Sequence, residues 1–306
     1  MENSSSDDDG DPSTSFRTYR SYYRITFLSL IFLLACTKTL HDLKTKSVHV
    51  SAGQKTLTKT TPEATAKKLK KKKKIYLTFD DGPNKGTQNV LDIVQQENIP
   101  ATFFIIGEHV FASLAQARTW DSLQVAINIE LCNHSYTHAL HNHYEKFYQN
   151  PDTVVKDVEL TKEKLLPDNN IVRAPGRNSW RIDSLHYTDI QKSKAAIDSL
   201  QKAGFIVIGW DLEWHYDPKT LTVMNTADEL MNQVDSVFAK GKTKSPDNLV
   251  LLAHDQVYQK SGDSLQLREF VQKLKQKNEY ELSLVNNYPG VTKIVDSLKT
   301  KRVSGQ

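Results

Sequence analysis

From Ile75 onward, short apolar runs of strand-forming character alternate with stretches in which apolar residues recur every three or four positions. That alternation is the signature of a parallel sheet with helices outside it. It predicts strands near 75–79, 101–106, 125–131, 170–173, 205–210 and 248–253. Helices are predicted near 86–97, 152–165, 189–203, 226–240 and 264–276; Val90, Ile93 and Val94 show the helical spacing in the first of these. Residues able to do chemistry fall just after the strands, where an α/β barrel carries its reactive groups. No repeat of solenoid or propeller length is visible.

The first 74 residues follow another pattern. Residues 1–24 are polar and rich in Ser and Asp, and an apolar run from Ile25 to Ala35 ends at Cys36. This run is far shorter than the roughly twenty residues that span a bilayer. Arg17, Arg20 and Arg24 precede it, as in a secretory signal, and Leu33-Leu34-Ala35-Cys36 resembles the cleavage box of bacterial lipoproteins. That resemblance implies removal of the segment 1–36, acylation of Cys36, and an exported protein anchored to a bacterial membrane and facing the periplasm or the outside. Two departures are a Leu at position 34, where a small residue is usual, and the long acidic leader. Residues 37–74 hold many Lys and Thr and little with which to build a core, so they read as a linker to a domain over 75–306.

Charge sharpens this division. The formal net charge is +4, and seven lysines stand between Lys67 and Lys74, so the basic balance belongs to the linker. Self-repulsion would extend such a run into a spacer, and attraction to anionic lipid or wall polymer is the alternative. No aromatic residues interleave with the lysines, so nucleic acid is not an expected partner, and no obligate protein partner is evident. Only Cys36 and Cys132 occur, which excludes an intrachain disulfide if Cys36 is lipidated.

Two stretches carry the candidate chemistry. Ile75-Tyr76-Leu77-Thr78-Phe79-Asp80-Asp81-Gly82-Pro83 delivers adjacent carboxylates into a turn, where mutual repulsion calls for a cation or a shared proton. Asn133-His134-Ser135-Tyr136-Thr137-His138 places two imidazoles four residues apart, on one face if the segment is a helical turn. Asp81, His134 and His138 would then make a three-ligand site for a divalent metal with a position left open for water. His141 and His143 are alternative ligands, more simply read as solvent-facing loop residues. Trp180 and Tyr136 are candidates either to stack on a ligand ring or to fill the core.

At these residues the chain resembles the polysaccharide deacetylases of carbohydrate esterase family 4, named for the NodB homology domain. The resemblance covers about residues 75 to 300, with motifs in the family's order. It implies a single distorted (β/α) barrel and metal-dependent removal of N-acetyl groups from amino sugars of a polysaccharide: peptidoglycan, a chitin-like polymer or an exopolysaccharide. Thr78 to Pro83 is similar to the first motif, making Asp80 the general base and Asp81 a metal ligand; His134 to His138 is similar to the second. Leu251-Leu252-Ala253-His254-Asp255 resembles the fifth, implying His254 as general acid and Leu252 in the acetyl pocket.

The third motif is altered: in Arg173-Ala174-Pro175-Gly176 a glycine follows the proline directly, where the family usually has an aromatic or other side chain. Arg173 keeps the implied role of holding the base. In the fourth, Trp210-Asp211-Leu212-Glu213-Trp214 offers two acids to orient His254 and two tryptophans to floor the acetyl pocket, with Glu213 and Trp214 the closer equivalents. Zn2+ fits the ligand set, and Co2+ or Ni2+ competes on affinity. Cleavage of polysaccharide O-acetyl esters by the same groups, a non-catalytic glycan-binding protein of this fold, and an adaptor working through the lysine run are the other readings.

Overall fold

The computed structural model describes residues 71–166 and 168–304. The expected signal segment with Cys36, and the linker as far as residue 70, lie outside the described residues. Where the linker was expected to continue to residue 74, strand β1 (Lys73–Gly82) has already begun. Its first residues pair with Tyr280 to Leu282, and the Lys73 ammonium lies 5.1 Å from the centre of the Phe238 ring.

The other strands are β2 (Ala101–Ile105), β3 (Ile129–Asn133), β4 (Ile171–Val172), β5 (Ser179–Ile182), β6 (Leu185–Thr188), β7 (Ile206–Val207), β8 (Leu212–Glu213), β9 (Tyr216–Asp217), β10 (Thr222–Val223), β11 (Asn248–His254) and β12 (Tyr280–Leu282). One mixed sheet runs β6-β5-β7-β4-β3-β2-β1-β11-β8, and β12 shares the β2 edge of β1. The run from β4 to β8 is parallel, as is β4 with β7, whereas β5 pairs antiparallel with both β6 and β7. The sheet curls into a half-barrel; among the described residues no ladder joins β8 to β6.

Alternation along β1 builds two layers from one strand. Ile75, Leu77 and Phe79 enter a core shared with the helices Thr87–Gln96 and Ser261–Gln276, while Tyr76 joins an interior cluster with Phe104, Trp180 and Tyr288. Successive strand side chains face opposite ways, so Thr78 and Asp80 inherit the interior side of Tyr76. An interior position delivers Asp80 to the mouth of the half-barrel.

Most predicted elements are present, with instructive misses. The third strand was expected at 125–131 and begins at Ile129, because a helix from Leu114 runs to Val125, and Val125 and Ile127 are exposed apolar residues that lengthened the apparent run. The β5–β6 hairpin and the helix Leu114–Val125 were not expected; that helix has a weak apolar face, with Leu114 exposed. Among the described residues no helix is long and apolar enough to cross a membrane.

At the far end of the barrel, buried Glu130 accepts hydrogen bonds from Thr102 Oγ1 (3.1 Å) and the Asn286 backbone N–H (3.0 Å). Burial pushes its carboxyl up to about 7, against the pull of those bonds. The folded protein thus holds this proton more tightly than the unfolded chain, where Glu titrates near ~4.3. Its stabilisation is complete below the unfolded value and is lost as pH rises through the folded one. Glu130→Gln should therefore gain in melting temperature relative to the native chain as pH is raised from about 5 to 8. An equal difference at both ends of that range would contradict the assignment.

Candidate active site

Adjacent residues of a regular strand point to opposite faces, yet Asp80 and Asp81 both line the mouth. The β1–β2 register shifts between Asp80 and Gly82, and Asp81 has a left-handed backbone (φ 77°). This irregularity turns the second carboxylate back toward the first. His109 Nδ1 lies 2.9 Å from the Asp81 carbonyl, and Asn84 Nδ2 donates to the same oxygen (3.2 Å), fixing the turn from both sides.

Asp81 Oδ1 is buried without a hydrogen-bond partner, 3.4 Å from His134 Nε2 and 3.3 Å from His138 Nε2. The other ring nitrogens are occupied: His134 Nδ1 is 2.9 Å from the Arg173 carbonyl oxygen and His138 Nδ1 is 2.6 Å from Asn142 Oδ1. Both acceptors are oxygens, so each Nδ1 carries the hydrogen and each Nε2 presents a lone pair to the centre. An orphaned carboxylate oxygen facing two such lone pairs fits a divalent cation. Burial opposes ionisation of Asp81, but the adjacent His134, with His254 and His138, holds its carboxyl well below the usual range. Burial and His134 push His138 down to about 4; for His134 itself burial is outweighed by Asp80 and Asp81, which raise its pKa.

The two histidines do not share a helical face as the spacing suggested. His134 follows the end of β3, held by its backbone N–H to the Ile105 carbonyl (2.9 Å), whereas His138 opens a left-handed turn through Asn142 with φ between 47° and 69°. None of these residues is glycine, and such a conformation costs roughly 1–2 kcal/mol per residue. Thr137 holds the turn: its Oγ1 accepts from Leu140 N–H (2.9 Å) and donates to Asp157 (3.0 Å), and its carbonyl accepts from His141 N–H (2.8 Å). His141 faces Glu108 (3.1 Å) at the exposed rim, away from the three ligands.

Arg173, fully buried at the end of β4, donates to Asp80 Oδ1 (2.7 Å), Thr78 Oγ1 (2.8 Å) and the Gly209 carbonyl (3.0 Å). The shortened third motif therefore still delivers its guanidinium. Gly176 has φ 61°, and a Cβ there would stand 2.8 Å from the Tyr144 ring, so Tyr144 occupies the space beside this turn and forms that wall of the cleft. Asp80 Oδ2 remains directed at the centre, 3.6 Å from His134 Nε2. Parallel pairing of β1 with β11 puts Asp80 and His254 side by side.

These groups line one cleft of about 560 Å3 together with Leu252, Glu213, Trp210, Tyr144, Tyr216 and Gln256. Several expected residues stand elsewhere. Trp214 is core, packed on Tyr258 and Phe270 with its indole N–H on the Asn225 carbonyl, and Trp210 is the tryptophan at the cleft. Trp180 is fully buried against Tyr288, and Tyr136 lies outside the cleft under Lys164. Asp211 is committed to the backbone N–H groups of Lys244 (2.6 Å) and Val250 (2.8 Å), with burial raising its carboxyl to about 6. Glu213 lines the cleft beside His215 (3.6 Å), and His254 Nδ1 is buried without a partner, so neither acid is bonded to it.

Three groups were given no role by the sequence reading of the chain. Tyr216, on the β9–β10 hairpin, lies over His254 with ring centres 5.0 Å apart, and Gln256 bridges Tyr216 Oη (3.2 Å) toward Asp81 Oδ2 (3.5 Å). Asp255 is buried beneath the Asp81 turn, accepting from Thr87 Oγ1 (2.6 Å) and from Asn84 Nδ2. Burial raises its carboxyl to about 8 in spite of the Thr87 bond.

Residues 67–205 match the family model described as polysaccharide deacetylase. Over these residues the chain is similar to polysaccharide deacetylases. It is 23% identical to a chitin disaccharide deacetylase of Vibrio alginolyticus, over 70% of this chain and 71% of that protein. Identity is 29% to a peptidoglycan-N-acetylglucosamine deacetylase of Bacillus cereus, over 48% of this chain and 50% of the other. A chitooligosaccharide deacetylase of Bradyrhizobium is 46% identical over 21% of this chain and 28% of its own length. The chain thus spans half or less of the length of these last two relatives. The described domain shares its fold with the catalytic domain of peptidoglycan N-acetylglucosamine deacetylase from Eubacterium rectale (TM-score 0.50, 22% identity, 71% of this chain and 90% of that one). A CE4 esterase from Streptococcus mutans gives a TM-score of 0.51 at 23% identity, over 70% of this chain and 86% of the other.

Proposed function

We propose that this chain hydrolyses N-acetyl groups on amino sugars of a polysaccharide, with a divalent metal, most simply Zn2+, held by Asp81, His134 and His138. The observation that carries this reading is the convergence of an orphaned Asp81 oxygen and two imidazole lone pairs, next to register-paired Asp80 and His254, in one open cleft. A divalent ion there supplies Lewis acidity toward a carbonyl oxygen and makes a water more acidic. Asp80 accepts the proton of the attacking water through Oδ2, since Arg173 occupies Oδ1. His254 donates a proton to the departing amine, which is otherwise a poor leaving group. Leu252 and Trp210 give the acetyl methyl an apolar surface, and Tyr144 and Tyr216 present aromatic walls to the sugar.

The same groups could cleave an O-acetyl ester, and a relative named bifunctional xylanase/deacetylase, from Pseudobutyrivibrio xylanivorans, is 47% identical over 22% of this chain. Acetate release from peptidoglycan, chitooligosaccharide, poly-N-acetylglucosamine and acetyl-xylan separates the two. Release from the amino-sugar polymers, abolished by chelation and restored by added metal, is the expected result; release from acetyl-xylan alone would favour the esterase, and chelator-resistant release would remove the metal. Export and anchoring through Cys36 are proposed from the leader's pattern, and Cys36→Ser should free the protein from the membrane fraction.

A further inference from the structure

We propose that Asn142, presented by the left-handed turn, is the residue that positions His138 as a ligand; this rests on the metal-site reading above. His134 has its ring fixed by a backbone carbonyl, that of Arg173. His138 has no such carbonyl, and its Nδ1 is bonded instead to Asn142 Oδ1 at 2.6 Å. The same oxygen accepts from Tyr144 Oη (2.9 Å), which leaves two donors converging on one acceptor and defines the orientation of the amide. Tyr144 also sets its ring edge against His138, with centres 5.9 Å apart and planes at 82°.

The turn explains how a side chain four positions on can reach back. Five successive residues, His138 to Asn142, have positive φ, so the chain coils in the hand opposite to an ordinary helix and brings Asn142 over the His138 ring. Strained backbone of this kind persists where surrounding structure over-determines it, and Thr137 and Asp157 provide that here. Fixing the Nδ1–H tautomer keeps the Nε2 lone pair directed at Asp81 Oδ1. Asn142 does not touch substrate in this account; it is a positioning residue.

Two substitutions separate the side chain from the backbone. Asn142→Gly removes the acceptor but suits a φ of 69°, so it should keep or raise the melting temperature while weakening metal affinity. Asn142→Asp keeps both an acceptor and tolerance of the left-handed region. With the full chain titrated by Zn2+ against a chelator, Asn142→Gly should lose about tenfold or more in affinity and Asn142→Asp should stay near the native value. The Co2+ absorption spectrum should shift in Asn142→Gly and be restored in Asn142→Asp. Native affinity and an unshifted spectrum in Asn142→Gly would overturn the proposal, as would equal losses in both variants. Native affinity in His138→Ala would instead overturn the metal-site reading itself.

Discussion

Asp80→Asn should slow acetate release by about 10²–10⁴-fold while leaving bound metal unchanged. The substitution is close to isosteric, and its amide oxygen can still accept from Arg173 Nη1, which now stands 2.7 Å from Asp80 Oδ1. What it removes is basicity at the oxygen facing the centre. Asp81, not Asp80, is the carboxylate with an orphaned oxygen between the two imidazoles, so metal content by elemental analysis should match the native protein. Native turnover in a metal-replete assay would show that the proton goes elsewhere, with buried Asp255 the next carboxyl to test.

The second large effect is on stability. Arg173→Leu removes three hydrogen bonds at once and leaves Asp80, only 2% exposed, without its counter-charge. Breaking a buried pair from one side typically costs about 3–5 kcal/mol, a large share of a domain's ~5–15 kcal/mol. Adding Asp80→Asn should recover part of that loss, because the stranded charge is gone, so the two substitutions should be strongly non-additive in denaturant titrations. Simple additivity would mean that Arg173 acts through Thr78 and Gly209 rather than through Asp80. Arg173→Lys should fall between, since a point ammonium cannot serve three acceptors in a plane.

Much of the mouth was legible because each of its residues stands at a strand end, and strand ends are marked by apolar runs stopping at polar groups. Asp80, Asp81 and His134 were found that way, Arg173 and His254 through the motifs they resemble, and the five meet in the structure. The aromatic assignments fared worse for a physical reason: Trp214 and Trp210 lie four residues apart in the same run, and only the pairing of β8 with β11 decides which ring meets the cleft. Asp211 looked free to orient His254 because backbone donors are not visible in a sequence; the N–H groups of Lys244 and Val250 had already claimed it. The helical turn expected at His134–His138 failed because a spacing of four has no hand, and none of the residues that adopt the left-handed form is glycine.

The sequence by itself determined the strand-and-helix order, the positions of the acids and imidazoles along it, and which family's motifs they resemble. Those depend on local patterns, which survive reading one residue after another. Tertiary structure alone decided which lone pairs face inward, which carboxylate is left without a partner, and which aromatic residues are walls rather than core. Each of these is a matter of register and hand: one bulge at Asp81 turns adjacent carboxylates to the same side, and one left-handed turn swings Asn142 onto His138. Both are long-range outcomes, held by neighbours such as His109 and Asp157 that no local pattern connects to them.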